Sequence, residues 1–416
     1  MIRSQIIEAS SFTQKRVEFN IPKSLASSIK LAHLGVYGGA PAYVTNALIG
    51  MAGCIKKIVL RDGATVLSQY DQNFNNYLEF KLLQQNNSRH RNINKVLYSS
   101  NFGMLLNNGG LDSNAAIAAI VLGEQGVSPR VCVDKHDLKR SAVLESDSDL
   151  AVVNLADLLG FCNATFIDGD SQIAGVIPCH IFNNLKLSIE FNDANTVAQN
   201  ATTIAQPYLI FDELDNPSLE QQLAKPSIQA QYSDLQLEKV FLGQNTDLKP
   251  YLNSFYGKTV GNLYLMFDDT QPYALSAYQA GEVIRLNVND TPLYQLTSGI
   301  DKPAKKAVFL RMLGIDLSIP FMSDRTLSEV PASANASNDT SIYEGLANPS
   351  NVQSQFYSGS TCSYLAMPLN TFINKLQLDY HRGAVGANAP EVILLWGEVI
   401  KFMTVDNDGS KKISYM

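Results

Sequence analysis

Apolar and polar residues alternate with a period of two through most of this chain, which is the pattern of half-buried β-strands. The first strand candidates are residues 16–21, 29–36 and 55–60. Turn residues separate them, among them Pro22 and the pair Asp62-Gly63. The pattern predicts an all-β protein with a few short helices.

One segment has the periodicity of an amphipathic helix, residues 150–159. The acidic run 146–149 precedes it and is suited to cap its first turn, and Gly160 follows as a stop signal. We therefore expect the clearest helix of the chain here.

The two halves of the chain resemble each other in the order of their strand patterns. Residues 53–62 (GCIKKIVLRD) align with residues 281–290 (GEVIRLNVND). Upstream, residues 17–19 and 29–31 match residues 235–237 and 263–265. Downstream, Pro178, Phe182 and the strand 185–189 match Pro368, Phe372 and the strand 376–380, and each half ends in an apolar strand, 208–211 and 392–396. The repeated order indicates a duplicated domain.

At 416 residues the chain is long enough for two domains, each with its own core. We expect the first over residues 1–214 and the second over 232–416, joined by a linker at 215–231. Long insertions at 101–144 and 327–360 are expected to be surface loops. Eight strands per half with long crossings predict two tandem eight-stranded jelly-roll β-sandwiches.

Composition supports the same reading. Hydrophobic residues make up 45% of the chain and charged residues 17%, which suits sheets that pack broad apolar faces together. The net charge is −7, so the chain has no long-range attraction for a phosphate backbone. We expect no direct contact with nucleic acid.

The five cysteines, an odd number without a CxxC pair, predict buried free thiols and a reducing compartment. Residues 1–19 lack the apolar core of a signal peptide, and the most apolar stretch, 115–122, is too short to span a bilayer. The expectation is a soluble chain made without a secretory signal.

Catalytic and ligand-binding motifs were sought and not found. The five histidines are scattered, and the sequence contains no HExxH, GxxxxGK[ST] or GxSxG motif. Three pairs of acids, 147/149, 168/170 and 406/408, could donate oxygens to calcium, but a helix cap explains 147/149 and a hairpin turn explains 406–409. Trp396 is predicted to be a core or interface anchor. We predict no catalytic, cofactor-binding or metal site, no cofactor and no enzymatic activity.

The tandem strand order and the Pro-x-x-x-Phe approach into an apolar strand, residues 178–191, resemble the double jelly-roll major capsid proteins of tailless icosahedral viruses. That lineage includes adenovirus hexon and the membrane-containing phages. The resemblance implies homotrimers of pseudo-hexagonal outline, with the insertions 101–144 and 327–360 as towers on the outer surface. It also implies contacts with neighbouring capsomers, penton and minor capsid proteins. An internal lipid membrane would be met by the N-terminal segment with Arg3, Lys15 and Arg16.

The expected location is the virion shell, after synthesis in the host cytoplasm. Two other readings stay open at this point. One is a tandem β-sandwich spike protein that binds a receptor or a carbohydrate. The other is an enzyme on a β-sandwich scaffold, such as a glycoside hydrolase, because its two carboxylates need only meet in space.

Overall fold

The computed structural model of the chain describes residues 1–37, 50–75, 77–78, 151–197, 201–225, 228–242, 247–268, 283–292, 364–381, 392–405 and 411–415. The two predicted insertions, 101–144 and 327–360, and the acidic run 146–149 lie outside these residues. The described part is dominated by antiparallel strands, as the alternating pattern predicts.

The first half, called roll one below, consists of strands joined by turns and short helical segments. Its strands are β1 (Ile2–Ile7), β2 (Ser11–Phe12), β3 (Arg16–Asn20), β4 (Leu25–Leu34), β5 (Val36–Tyr37), β6 (Ile55–Asp62), β7 (Thr65–Asp71), β8 (Ala151–Asn154), β9 (Thr165–Asp168), β10 (Ser171–Ile173), β11 (Ile177–Pro178), β12 (Leu185–Phe191), β13 (Thr203–Ile204) and β14 (Tyr208–Leu214). Its helices are α1 (Leu155–Leu158) and α2 (Ala194–Val197), with 3-10 turns at Gly50–Cys54, Gln72–Phe74, Gly160–Asn163 and Cys179–Ile181.

The second half, roll two, follows the helix α3 (Pro217–Leu223). Its strands are β15 (Gln229–Phe241), β16 (Asp247–Leu248), β17 (Lys258–Asp268), β18 (Val283–Val288), β19 (Thr291–Pro292), β20 (Tyr364–Ile373), β21 (Leu376–His381), β22 (Val392–Val405) and β23 (Lys411–Tyr415), with a 3-10 turn at Asn253–Phe255.

Both rolls have the same strand topology. The eight main strands of roll one are β1, β3, β4, β6, β7, β11, β12 and β14, and those of roll two are β15 to β22. In each roll the first, eighth, third and sixth main strands form one sheet: β1-β14-β4-β11 and β15-β22-β17-β20. The second, seventh, fourth and fifth form the other: β3-β12-β6-β7 and β16-β21-β18-β19. This order is the jelly roll, so the predicted fold class is confirmed. We call the first kind the terminal sheet and the second kind the companion sheet.

The topology tests each match of the internal repeat. Five pairs of strands occupy equivalent places in the two rolls, as the sequence predicts: β6 and β18, β4 and β17, β12 and β21, β11 and β20, and β14 and β22. The match of residues 17–19 with 235–237 is wrong. Residues 235–237 lie in β15, the first strand of roll two, whose equivalent is β1, whereas β3 is equivalent to the two-residue strand β16. Strand β3 has the alternating pattern of a core strand because its Val17 and Phe19 are buried, whereas β1 is largely exposed and lacks that pattern.

Each roll encloses an apolar core between its two sheets. In roll one Leu31, Phe211 and Leu187 are fully buried in it, and in roll two Leu263, Leu395 and Leu378 are equally inaccessible. Residues two apart along each strand face this core, because successive side chains of a strand point to opposite faces. The alternation in the sequence therefore marks strands that turn one face toward this core.

The predicted helix over residues 150–159 is wrong in its first half. Residues 151–154 form strand β8, which pairs with β4 and buries Ala151 and Val153, so tertiary pairing overrides the local helical periodicity. Only Leu155–Leu158 is helical. Its cap is Asn154, whose side chain accepts a hydrogen bond from the backbone N–H of Ala156 at 3.1 Å.

The segment between the rolls contains the helix that its composition suggests. Asn216 caps α3 by accepting from the backbone N–H of Leu219, and Pro217 takes the first helical position. Strand β15 starts at Gln229, three residues inside the predicted linker. The domain division at 214 and 232 stays a prediction.

Candidate functional site

The terminal sheet of roll two is buried on both faces. Its inner face carries Leu263, Leu265 and Leu395, which belong to the core of roll two. Its outer face carries Trp396 and Tyr264, which belong to the core of roll one. A sheet covered on both faces joins the two rolls, and this contact is called the roll–roll contact below.

Aromatic side chains anchor the contact. Trp396 is 1% exposed, and its indole N–H donates to the backbone carbonyl of Asn73 at 3.2 Å. The ring of Phe161 packs edge to face against Tyr232 with centroids 5.4 Å apart, and the Tyr232 hydroxyl donates to the carbonyl of Leu67 at 2.8 Å. The prediction that Trp396 anchors a core or an interface is confirmed.

The backbones of the two rolls also come very close at one point. A Cβ atom added to Gly160 would stand 1.6 Å from the carbonyl oxygen of Ser233 on β15. A side chain cannot occupy that space, so glycine is required here. Gly160 therefore does not stop a long helix, as the sequence suggested, but permits the close approach of the rolls.

A polar cluster lies beside these rings, centred on the Glu398 carboxylate. Tyr77 of roll one donates to its Oε1 at 2.7 Å, Tyr264 donates to Oε1 at 2.9 Å, and Asn262 donates to Oε2 at 2.7 Å. Burial, reinforced by the negative charge of Glu398, raises the pKa of Tyr77 and of Tyr264 well above the usual range. Both hydroxyls therefore keep their protons and act as donors to the carboxylate at any physiological pH.

Two ion pairs lie at the contact. Asp234 accepts from Lys401 at 2.8 Å and from Ser68 of roll one at 2.7 Å, and burial raises its pKa despite both partners. Lys411 on the C-terminal strand β23 reaches Asp62 of roll one at 2.7 Å, and both side chains are almost completely buried. Strand β23 thus ties the end of roll two to a turn of roll one.

A cavity of about 590 Å³ remains between the rolls. Its lining includes Tyr77, Asp157, Asn262 and Glu398. The Glu398 carboxylate is already satisfied by its three protein donors. Among the residues that the structure describes, no three of His, Cys, Asp or Glu come together as metal ligands.

The outer face of the terminal sheet of roll one is different, because part of it is open to solvent. Ile2 and Ile6 on β1 are 60% and 69% exposed. Beside them the Asp212 carboxylate accepts from Lys30 at 2.7 Å, from Ser28 at 2.5 Å and from Ser4 at 2.6 Å. Burial alone would raise the pKa of Asp212, but these hydrogen bonds and the charge of Lys30 outweigh it and lower the pKa to about 2.

The histidines and thiols singled out in the sequence have local structural roles. His33 stacks on Tyr208, and His180 contacts the backbone carbonyl of Glu220 at 3.0 Å. Cys54, Cys162 and Cys179 are buried and free, and burial raises the pKa of Cys162 to about 12. Such thiols are unreactive, in agreement with the predicted free cysteines.

Other acids and histidines of the described residues form ion pairs or polar contacts. Asp168 forms an ion pair with Lys225 at 3.2 Å, and His381 contacts Asp247 at 2.6 Å. Strands β22 and β23 pair antiparallel, with Val405 opposite Lys411. The remaining histidines, acids and cysteines lie outside the described residues: His90, His136, the acids 147/149 and 406/408, Cys132 and Cys362. Within the described ranges, no helix is long and apolar enough to cross a membrane.

The same fold occurs in viral capsids. A chain of the PBCV-1 virus capsid matches at a TM-score of 0.53 and 10% identity, covering 100% of this chain and 97% of that one. PBCV-1 VP54, fitted into a reconstruction of the virophage Sputnik, matches at a TM-score of 0.52 and 10% identity, covering 100% of this chain and 97% of that one. A chain of the Sputnik virophage structure matches at a TM-score of 0.50 and 11% identity, covering 100% of this chain and 88% of that one. No family model and no curated protein sequence matches the chain. At these identities the likeness establishes the fold: the chain is a double jelly roll of the kind found in viral capsids.

Proposed function

We propose that this chain is the major capsid protein of a tailless icosahedral virus and that its activity is self-assembly. The observation that carries the proposal is the duplication: two jelly rolls with the same strand order lie side by side in one chain and share an extensive buried contact. A protein whose function lay in one pocket would not need a second copy of the fold fixed to the first.

The duplication has a geometric use in a shell. Three copies of a two-roll chain present six similar lobes around a threefold axis, so the trimer can occupy a position that neighbours surround as a hexagon. Homotrimers of pseudo-hexagonal outline are therefore the proposed capsomers. Neighbouring capsomers are the proposed partners, with penton and minor capsid proteins and an internal lipid membrane as further ones.

The proposed location is the virion shell, and the proposed site of synthesis is the host cytoplasm. The buried free thiols Cys54, Cys162 and Cys179 suit synthesis in a reducing compartment. The proposed role is structural and not enzymatic. The hydrogen bonds of Glu398 support this, because Tyr77 of roll one and Tyr264 and Asn262 of roll two already occupy its oxygens.

Size-exclusion chromatography coupled to light scattering tests the proposal on the full chain. The expected mass is about three times the 45.6 kDa of one chain, and we expect it to be unchanged in moderate salt, which screens exposed charges but not apolar contacts. A monomer at micromolar concentration would contradict the capsid proposal. A monomer that bound a glycan or receptor saturably would instead favour the spike-protein reading.

A further inference from the structure

The register of the two terminal sheets makes their outer faces comparable residue by residue. The repeat aligns Ile29 of β4 with Leu263 of β17. Ile29 pairs with Phe211 of β14, and Leu263 pairs with Gly397 of β22. Two positions further on, the pairs Leu31 with Leu209 and Leu265 with Leu395 keep the same offset. The two sheets therefore align without a shift over these positions.

This alignment gives each residue of the roll–roll contact an equivalent in roll one. Glu398 is equivalent to Asp212, and Trp396 is equivalent to Ile210. On the first strands, Ile6 pairs with Ile210 just as Leu237 pairs with Trp396. The apolar pair Ile6 and Ile210 thus stands where roll two places Leu237 and Trp396.

The environments of the two equivalent pairs differ. Trp396 is 1% exposed and Leu237 packs against the core of roll one. Ile210 is half-buried, and Ile6 is 69% exposed with Ile2 near it on the same strand. The same position in the fold is covered in one roll and uncovered in the other.

From this we infer that the outer face of β1-β14-β4, centred on Ile6 and Ile210, is the surface on which another copy of this chain docks its roll two. The inference rests on the proposed self-assembly and names the surface that it uses. In the chain, roll two lays its terminal sheet on the side of roll one that carries β7 and the 3-10 turn Gln72–Phe74. The equivalent side of roll two carries β18 and β19. The occupant is that side of a neighbouring copy.

The hydrogen bonds of the two equivalent carboxylates, Glu398 and Asp212, support this docking surface. In roll two Glu398 reaches a donor of the other roll, Tyr77, whereas in roll one Asp212 is satisfied by Lys30, Ser28 and Ser4 of its own sheet. Asp212 is therefore paired before any partner arrives. Docking on this face buries apolar side chains without leaving an unpaired charge. A heterologous contact that is repeated within and between chains gives a ring where its rotation closes, and the proposed ring contains six rolls.

The variant Ile6→Asp tests the surface in the full chain. Because Ile6 is exposed in the single chain, the variant is expected to melt like wild type at a concentration where both are monomeric. In light scattering it is expected to have the mass of one chain at concentrations where wild type has the mass of three. Phe241→Asp is the matched control, because Phe241 is 73% exposed but lies on β15 of roll two and not on the face of β1-β14-β4, and this variant should keep the wild-type mass.

A milder variant keeps the test valid if the charge disturbs folding. Ile6→Ser removes apolar area without adding a charge and should raise the concentration at which the oligomer dissociates by about tenfold or more. An oligomer of Ile6→Asp or Ile6→Ser as stable as wild type would overturn the assigned surface while leaving self-assembly intact. A monomeric wild-type chain would instead overturn the proposed function, and the inference with it.

Discussion

The two terminal sheets have the same topology and register but opposite surroundings. In roll two the outer face carries Trp396 and Tyr264, which are buried against roll one. Its carboxylate, Glu398, accepts a hydrogen bond from Tyr77 of roll one. In roll one Ile210 stands in place of Trp396 and Lys30 in place of Tyr264, and the carboxylate of Asp212 is bound within the sheet. The same sheet thus forms a buried contact within the chain in roll two. In roll one it forms an exposed surface whose carboxylate is paired within the sheet.

The largest expected effect tests what the two rolls have in common. Leu187 and Leu378 occupy equivalent seventh strands and are both fully buried. Leu187→Asp and Leu378→Asp each place a charge in a core, which costs several kcal/mol against a total stability of about 5–15 kcal/mol. We expect each to abolish the soluble folded protein, measured as soluble yield and melting transition.

The control is Ser188→Asp, which adds the same charge one residue away on the other face of β12, next to Arg16. It should be soluble and melt close to wild type. Normal yield and melting for both core variants would show that the inner faces of the two sandwiches have been assigned wrongly.

A smaller effect separates the two outer faces. Trp396→Ala should lower the free energy of unfolding by about 3–5 kcal/mol, because it opens a cavity at the roll–roll contact. Ile210→Ala, at the equivalent position, should cost only about 1 kcal/mol in the single chain because that side chain is half-buried. Denaturant unfolding of monomeric chains measures both. Equal losses would contradict the difference between the faces, and Trp396→Phe should recover most of the loss at the first position.

The smallest effect is a difference in pH dependence. The pKa of Asp212 is lowered in the folded chain to about 2, from about 3.8 in the unfolded chain, so its contribution to stability is full above pH 3.8 and is lost as pH falls toward 2. The stability difference between wild type and Asp212→Asn should therefore shrink over that interval.

Asp234 at the roll–roll contact should show the opposite slope. Burial raises its folded pKa, so the folded chain holds the proton more tightly, and stability falls as pH rises from 3.8 through that raised pKa. Urea unfolding at closely spaced pH values, with Asp234→Asn beside Asp212→Asn, measures both slopes. Slopes of the same sign for the two variants would contradict the assigned environments.

The sequence predicted those parts of the fold in which one face of a strand is buried. Alternation marks such strands directly, so β12 and β21 were placed correctly from Leu187 and Leu378. Strand β1 was missed because its residues are largely exposed and leave no core signature. The helix prediction failed at β8 because Ala151 and Val153 satisfy a helical period and a strand pairing equally well, and contact with β4 decides between them.

The roll–roll contact was harder to predict from the sequence. A sheet buried on both faces has continuous apolar residues, as in residues 392–396, which indicates burial but not the partner. Trp396 was recognised as an anchor for that reason. The Glu398 cluster joins Tyr77, Asn262 and Tyr264, residues up to 321 positions apart, so no local pattern could reveal it.

Gly160 has a consequence for the geometry of a closed assembly. Since its Cα rests almost directly on the Ser233 carbonyl, the separation and tilt of the two rolls are set by main chain against main chain, without a flexible side chain to absorb error. In the proposed trimer with its six lobes, an angular error at each within-chain joint would add up over three joints. A single methyl group at this position would therefore act as a wedge whose effect appears at the perimeter, where the last lobe must meet the first.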